Sequence, residues 1–80
     1  MNNEHHDLFH EFPEFHTKIT ALRDSDAQFA REMATYEELD SRIRLDESKV
    51  APIADAFLGA MKFRRVHLKD DLYARLRKSA

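Results

Sequence analysis

Apolar side chains recur along this chain in two stripes with a short interruption between them. The first is Phe29, Met33, Tyr36, Leu39 and Ile43; the second is Phe57, Met61, Leu68, Leu72 and Leu76. Steps of three, four and seven residues put each set on one side of an α-helix. Between them lies Val50-Ala51-Pro52. Pro52 disfavours α conformation at Ala51 and suits the first position of a following helix. Phe63, Val66 and Tyr73 form a looser stripe on another face of the second helix.

Upstream, Leu8, Phe9, Phe12, Phe15, Ile19 and Leu22 keep a helical rhythm. Pro13 fits only the first turn of a helix, since in an interior it removes a hydrogen bond and clashes. A helical turn over 7–12 and a helix starting near Pro13 follow. Arg23-Asp24-Ser25-Asp26 then breaks the pattern. Ser25 with Gln28 matches a capping box, and Asp24 or Asp26 are alternative caps. The elements expected are a frayed start over 1–7 and an N-terminal helical segment over 8–23. A first long helix over 26–46, a connection over 47–52 and a second long helix over 53–78 complete the chain.

Two helices with a short connection make an antiparallel hairpin. The predicted fold is therefore all-α: an antiparallel two-helix hairpin with a short N-terminal helix. A turn near residue 50 sets Ile43 near Phe57 and Leu58, Leu39 near Met61, Tyr36 near Arg65 and Phe29 near Leu72. Such a pair leaves apolar surface wet, and each large side chain left wet forfeits about 1.5–3 kcal/mol. Either the N-terminal phenylalanines fold back, or two copies assemble into a helical bundle. A homo-oligomer, most simply a dimer, is the expectation, with Phe63, Val66 and Tyr73 as the candidate partner-binding residues.

The 80 residues make one small domain, and the absence of cysteine removes disulfides and thiolate metal sites. No stretch approaches the roughly 20 apolar residues of a membrane span, and Met1–Asp7 lacks the pattern of a secretory signal. A cytoplasmic location without membrane contact is the default expectation.

Charge is unevenly spread. Residues 62–80 carry a net +5 and residues 1–61 a net −7, within a total of −2. The arms attract each other when folded antiparallel, though each exposed pair adds only about 0–1 kcal/mol. The basic arm is also the one nucleic-acid signal, through Arg64, Arg75, Arg77 and Lys78, provided that these face solvent.

Candidate chemistry is sparse. His6 and His10 sit four apart, near Glu11, Glu14 and His16, but no distant third ligand accompanies them, and they read as a polar helix start. Asp40 with Glu37, and Asp70 with Asp71, are paired carboxylates without a cleft. Asp40 reads instead as the inter-helix partner of Lys62 or Arg65. Gly59 stands alone, so there is no phosphate loop. No catalytic residue, cofactor or metal is expected, and a non-enzymatic protein-interaction or assembly module is the first functional reading. A nucleic-acid-associated accessory protein is the second.

Phe29-Ala30-Arg31, Tyr36 through Ile43, and Leu68 through Leu76 together resemble the YdcH-like family of small bacterial helical proteins, a domain of unknown function. Phe12-Pro13-Glu14-Phe15 resembles that family's N-terminal block. Leu39-Asp40-x-x-Ile43 and Leu68-Lys69-Asp70-x-Leu72 occur in the family's order and separation. The resemblance implies a short helical hairpin with an N-terminal extension, oligomeric and from a bacterial cytoplasm. It implies no activity, cofactor or catalytic residue. Glu32-Met33-Ala34-Thr35 and the 50–60 connection depart from the family's pattern.

Overall fold

The computed structural model describes residues 7–50 and 52–78, and the described residues contain helices and turns without a strand. Helix α1 spans Leu8–Glu11, a 3-10 turn spans Pro13–Phe15, and α2 spans His16–Ser25. The long helices are α3, Ala27–Glu47, and α4, Asp55–Lys78. The frayed start expected over 1–7 lies outside the described residues except for Asp7, which caps α1: its Oδ1 accepts from the His10 N–H at 2.9 Å. His6 also lies outside them.

The break between α2 and α3 falls where the polar cluster predicts it, with Asp26 as the cap. Its carboxylate accepts from the N–H groups of Gln28 at 3.0 Å and Phe29 at 3.2 Å, satisfying two of the donors that a helix start leaves open. Ser25, whose spacing to Gln28 matched a capping box, closes α2 instead, its hydroxyl donating to the Ala21 carbonyl at 2.8 Å.

At the other end of α3 the chain leaves through a Schellman motif. Val50 N–H donates to the Leu45 carbonyl at 3.0 Å and Lys49 N–H to Asp46 at 2.9 Å. Lys49 takes the left-handed conformation, with φ 65°, where glycine is usual. Asp46 Oδ1 then accepts from the Ile53 N–H at 2.7 Å and ties the connection back to α3. Helix α4 starts only at Asp55, two residues later than the apolar pattern suggested.

The contacts between α3 and α4 run in antiparallel order. Glu47 faces Lys62, Asp40 faces Arg65, and Glu32 and Asp26 lie near Arg75. Asp40 lies one turn beyond Tyr36, the residue expected opposite Arg65. Tyr36 and Arg65 nevertheless line one cleft, and Leu39 and Met61 one groove, as a turn near residue 50 sets them. Phe57 is corrected: expected on the core stripe beside Ile43, it lies in the first turn of α4 at the edge of the helix pair and is 69% exposed. Half-buried Leu58 takes the inward position.

The core gathers Leu8, Ile19, Phe29, Met33, Tyr36, Leu72 and Leu76, with Phe9, Phe12, Phe15, Leu22 and Leu68 packed against it. The N-terminal segment therefore folds back over α3 and α4 at the end remote from the connection. Lys69 reaches Glu11 at 3.0 Å and the Lys18 ammonium donates to the Leu76 carbonyl at 3.3 Å, tying α1 and α2 to α4.

Two predictions follow from this packing. Leu72→Ala is expected to cost about 2–5 kcal/mol in urea unfolding, whereas Phe57→Ser is expected to cost well under 1 kcal/mol, because only the first opens a cavity. Lys49→Gly is expected to stabilise the protein by up to about 1 kcal/mol, read as a higher midpoint at unchanged m-value, by relieving the left-handed backbone.

Candidate interaction surface

The polar centre of the molecule is Asp40. Among the described residues it is the one buried charged side chain, 2% exposed, and it sits on the apolar face of α3 between Tyr36 and Ile43. Burying a carboxylate is costly unless it is paired and hydrogen-bonded. Arg65 NH1 from α4 donates to its Oδ1 at 2.8 Å, and Arg44 Nε, one turn along α3, donates to Oδ2 at 3.3 Å. Each carboxylate oxygen has its own guanidinium. Of the two partners weighed from the sequence, Arg65 is the one used, while Lys62 lies 3.9 Å from Glu47.

Tyr36 neighbours this cluster. Burial first, then the carboxylates of Glu11 and Asp40, push its phenol far above the ordinary tyrosine range, and the ring stays neutral at physiological pH. Tyr36, Arg65, Glu11 and Lys69 line a small cleft that α1 helps to close. Nothing in this arrangement resembles a catalytic pair: the carboxylate is consumed by two guanidiniums. Among the described residues no group of three or more His, Asp or Glu could hold a metal. His10, part of the histidine pair read from the sequence, bonds Asp7 through Nδ1 at 2.7 Å.

The basic side chains of α4 divide between carboxylates of the chain and open solvent. Lys62, Arg65, Lys69 and Arg75 each lie within 4.0 Å of a carboxylate of the chain. Arg77 stands over the Tyr73 ring, 5.7 Å from its centroid. Of the residues considered for phosphate contact, Arg75 is thus engaged with Asp26 and Glu32, whereas Arg64 and Lys78 are exposed.

The looser stripe of α4 divides. Tyr73 stacks on Phe12 with centroids 5.0 Å apart and tilts against Phe15 at 6.0 Å, so the N-terminal segment occupies it. Phe63 and Val66 remain exposed, at 67% and 52%, with the His67 ring edge-on to Phe63. By helical phase Phe63 points away from the core.

A second apolar exposure lies at the connection end. Leu39 and Leu45 of α3 face Phe57 and Met61 of α4 across a groove of about 640 Å³, closed at one end by Pro52 and Ile53. Arg42 stands on one wall and Arg64 on the other. Leu39 and Met61, expected in the core, are half-buried and form this groove's walls. The sequence reading missed the groove because it assigned Leu39, Phe57 and Met61 to the α3–α4 contact. The signal that remained was Leu45, an apolar residue off the stripe.

A family model described as protein of unknown function, DUF465, matches residues 29–76. The chain belongs to the DUF465 family. This is the YdcH-like family of small helical proteins, as the two helical blocks had indicated. The DUF465 match takes in nearly all of α3 and α4, including Asp40, Arg65 and the groove, and leaves α1 and α2 outside it. Neither the curated proteins nor the solved structures yield a match. No helix among the described residues is long and apolar enough to cross a membrane.

The Asp40–Arg65 pair gives a direct test. Arg65→Met is expected to destabilise by about 3 kcal/mol, because Asp40 loses its shortest partner. The Asp40→Leu/Arg65→Met double variant is expected to recover most of that loss in the same urea titration.

Proposed function

We propose that this DUF465 protein is a non-enzymatic protein–protein interaction module whose working surface is the connection end of the α3–α4 pair. The observation that carries this reading is the apolar groove there, with Phe57 left 69% exposed on its edge. A bulky aromatic held in water at the rim of an apolar trough forfeits burial, and exposed apolar patches of this kind mark interaction sites. At the far end the N-terminal segment is drawn over the pair until Leu8, Ile19, Phe29 and Leu72 are inaccessible.

The charge arrangement favours this reading over nucleic-acid binding. Phosphate-backbone recognition needs clustered outward cations. Four of the seven basic side chains over 62–78 lie instead against the chain's own carboxylates. Self-association fits the outer Phe63 and Val66 face of α4 as a separate contact, since those side chains lie away from the groove.

Co-purification from a cell extract, with wild type and Phe57→Ser in parallel and with or without nuclease, tests the proposal. A stoichiometric protein that survives nuclease and moderate salt, and is lost with Phe57→Ser, is expected. Recovery of nucleic acid that nuclease removes, with no protein retained, would transfer the function to the basic face.

A further inference from the structure

We infer that the groove at the connection end takes an acidic amphipathic helix of a partner protein, its apolar side chains seated between Leu39, Phe57 and Met61 and its carboxylates on Arg42 and Arg64. This rests on the interaction reading above and specifies the partner's chemistry.

The geometry suits a helix. Leu39, Arg42 and Leu45 fall at successive three-residue steps along α3, and Phe57, Met61 and Arg64 at four and three along α4. Each wall is therefore about two helical turns long, ~10 Å. A partner with apolar residues at i, i+3 or i+4, and i+7 matches that length. The chain covers the opposite end of the same helix pair in a similar way, with helices of its own N-terminal segment.

The charge decides the partner's sign. Arg44, Arg65 and Arg75 each lie within 4.0 Å of a carboxylate of the chain. Arg42 and Arg64 make no ion pair among the described residues. Asp46, one turn on from Arg42, is turned to the Ile53 N–H, and Glu38, one turn before it, lies outside the lining. Among the described residues no carboxylate lines the groove. A second copy laid groove on groove would bring together four guanidiniums with no lining acid to receive them. The unneutralised rim calls for carboxylates from another chain, which steer and orient a partner more than they tighten it.

Two labelled synthetic helices with one apolar face, flanked by glutamates in one and lysines in the other, are titrated onto the full chain by fluorescence anisotropy. The glutamate helix is expected to bind at least tenfold more tightly at low salt. That preference is expected to reverse in Arg42→Glu/Arg64→Glu, and binding is expected to vanish in Phe57→Ser at unchanged circular dichroism. Equal binding of both helices, no binding of either, or a preference that charge reversal does not move overturns the inference. Self-association by sedimentation that Phe57→Ser abolishes overturns it too, by making a second copy the occupant, while the interaction reading survives. If co-purification also recovers no Phe57-dependent protein, the interaction reading falls with it.

Discussion

A carboxylate buried on the apolar face of a helix leaves the fold little freedom. Asp40 cannot stay there without its guanidiniums, and Arg65 must come from the opposite helix. The 2.8 Å bond therefore sets how α4 lies along α3. A register shifted by one turn would bring Leu68 or Met61 against Asp40 and leave the charge uncompensated, at a cost of several kcal/mol. Apolar side chains alone tolerate such a slip, because one leucine can replace another at similar spacing. The ion pair thus contributes specificity to a contact whose stabilisation comes from the neighbouring Phe29, Met33, Leu72 and Leu76.

With that register fixed, the distribution of burial follows. The far end of the pair offers Phe29, Met33, Tyr36, Leu72 and Leu76, and the N-terminal segment supplies Leu8 and Ile19 to complete the cluster. Pro13 turns the chain between α1 and α2, Asp26 turns it between α2 and α3, and the phenylalanines beside Pro13 reach Tyr73. Among the described residues the connection end has no equivalent element, and Leu39, Met61 and Phe57 stay within reach of solvent. One helix pair therefore carries a closed apolar end and an open one.

Much of this was legible in the chain itself. The α3 stripe named Phe29, Met33, Tyr36 and Ile43, all buried, because one continuous helix preserves phase across 21 residues. Along α4 the stripe named Leu72 and Leu76, both buried, and Leu68, packed against the core, but failed toward the connection, where Met61 is half-buried and Phe57 exposed. Lys49 adopts a conformation that side-chain identity does not advertise, and α4 starts two residues late, with Phe57 exposed in its first turn. Asp40 with Arg65 was readable as a charge pair, but not the second bond from Arg44, nor its near-complete burial. Tyr73 stood out as apolar surface without a partner; that Phe12 and Phe15 would supply one depended on the path around Pro13. The groove was hidden because Leu39, Phe57 and Met61, which form its walls, read as core.

The closed end and the open end also differ in how firmly they hold their backbone. Opening free energies rise with the apolar contacts that must break. Along the 39 Å axis of the molecule, they should climb from the Ser48–Ile53 connection toward the Leu8, Ile19 and Leu72 cluster. Amide hydrogens near Ile43 and Leu58 would then exchange sooner than those near Phe29 and Leu72. The apolar groove thus lies at the end of the helix pair where opening the backbone breaks the fewest apolar contacts.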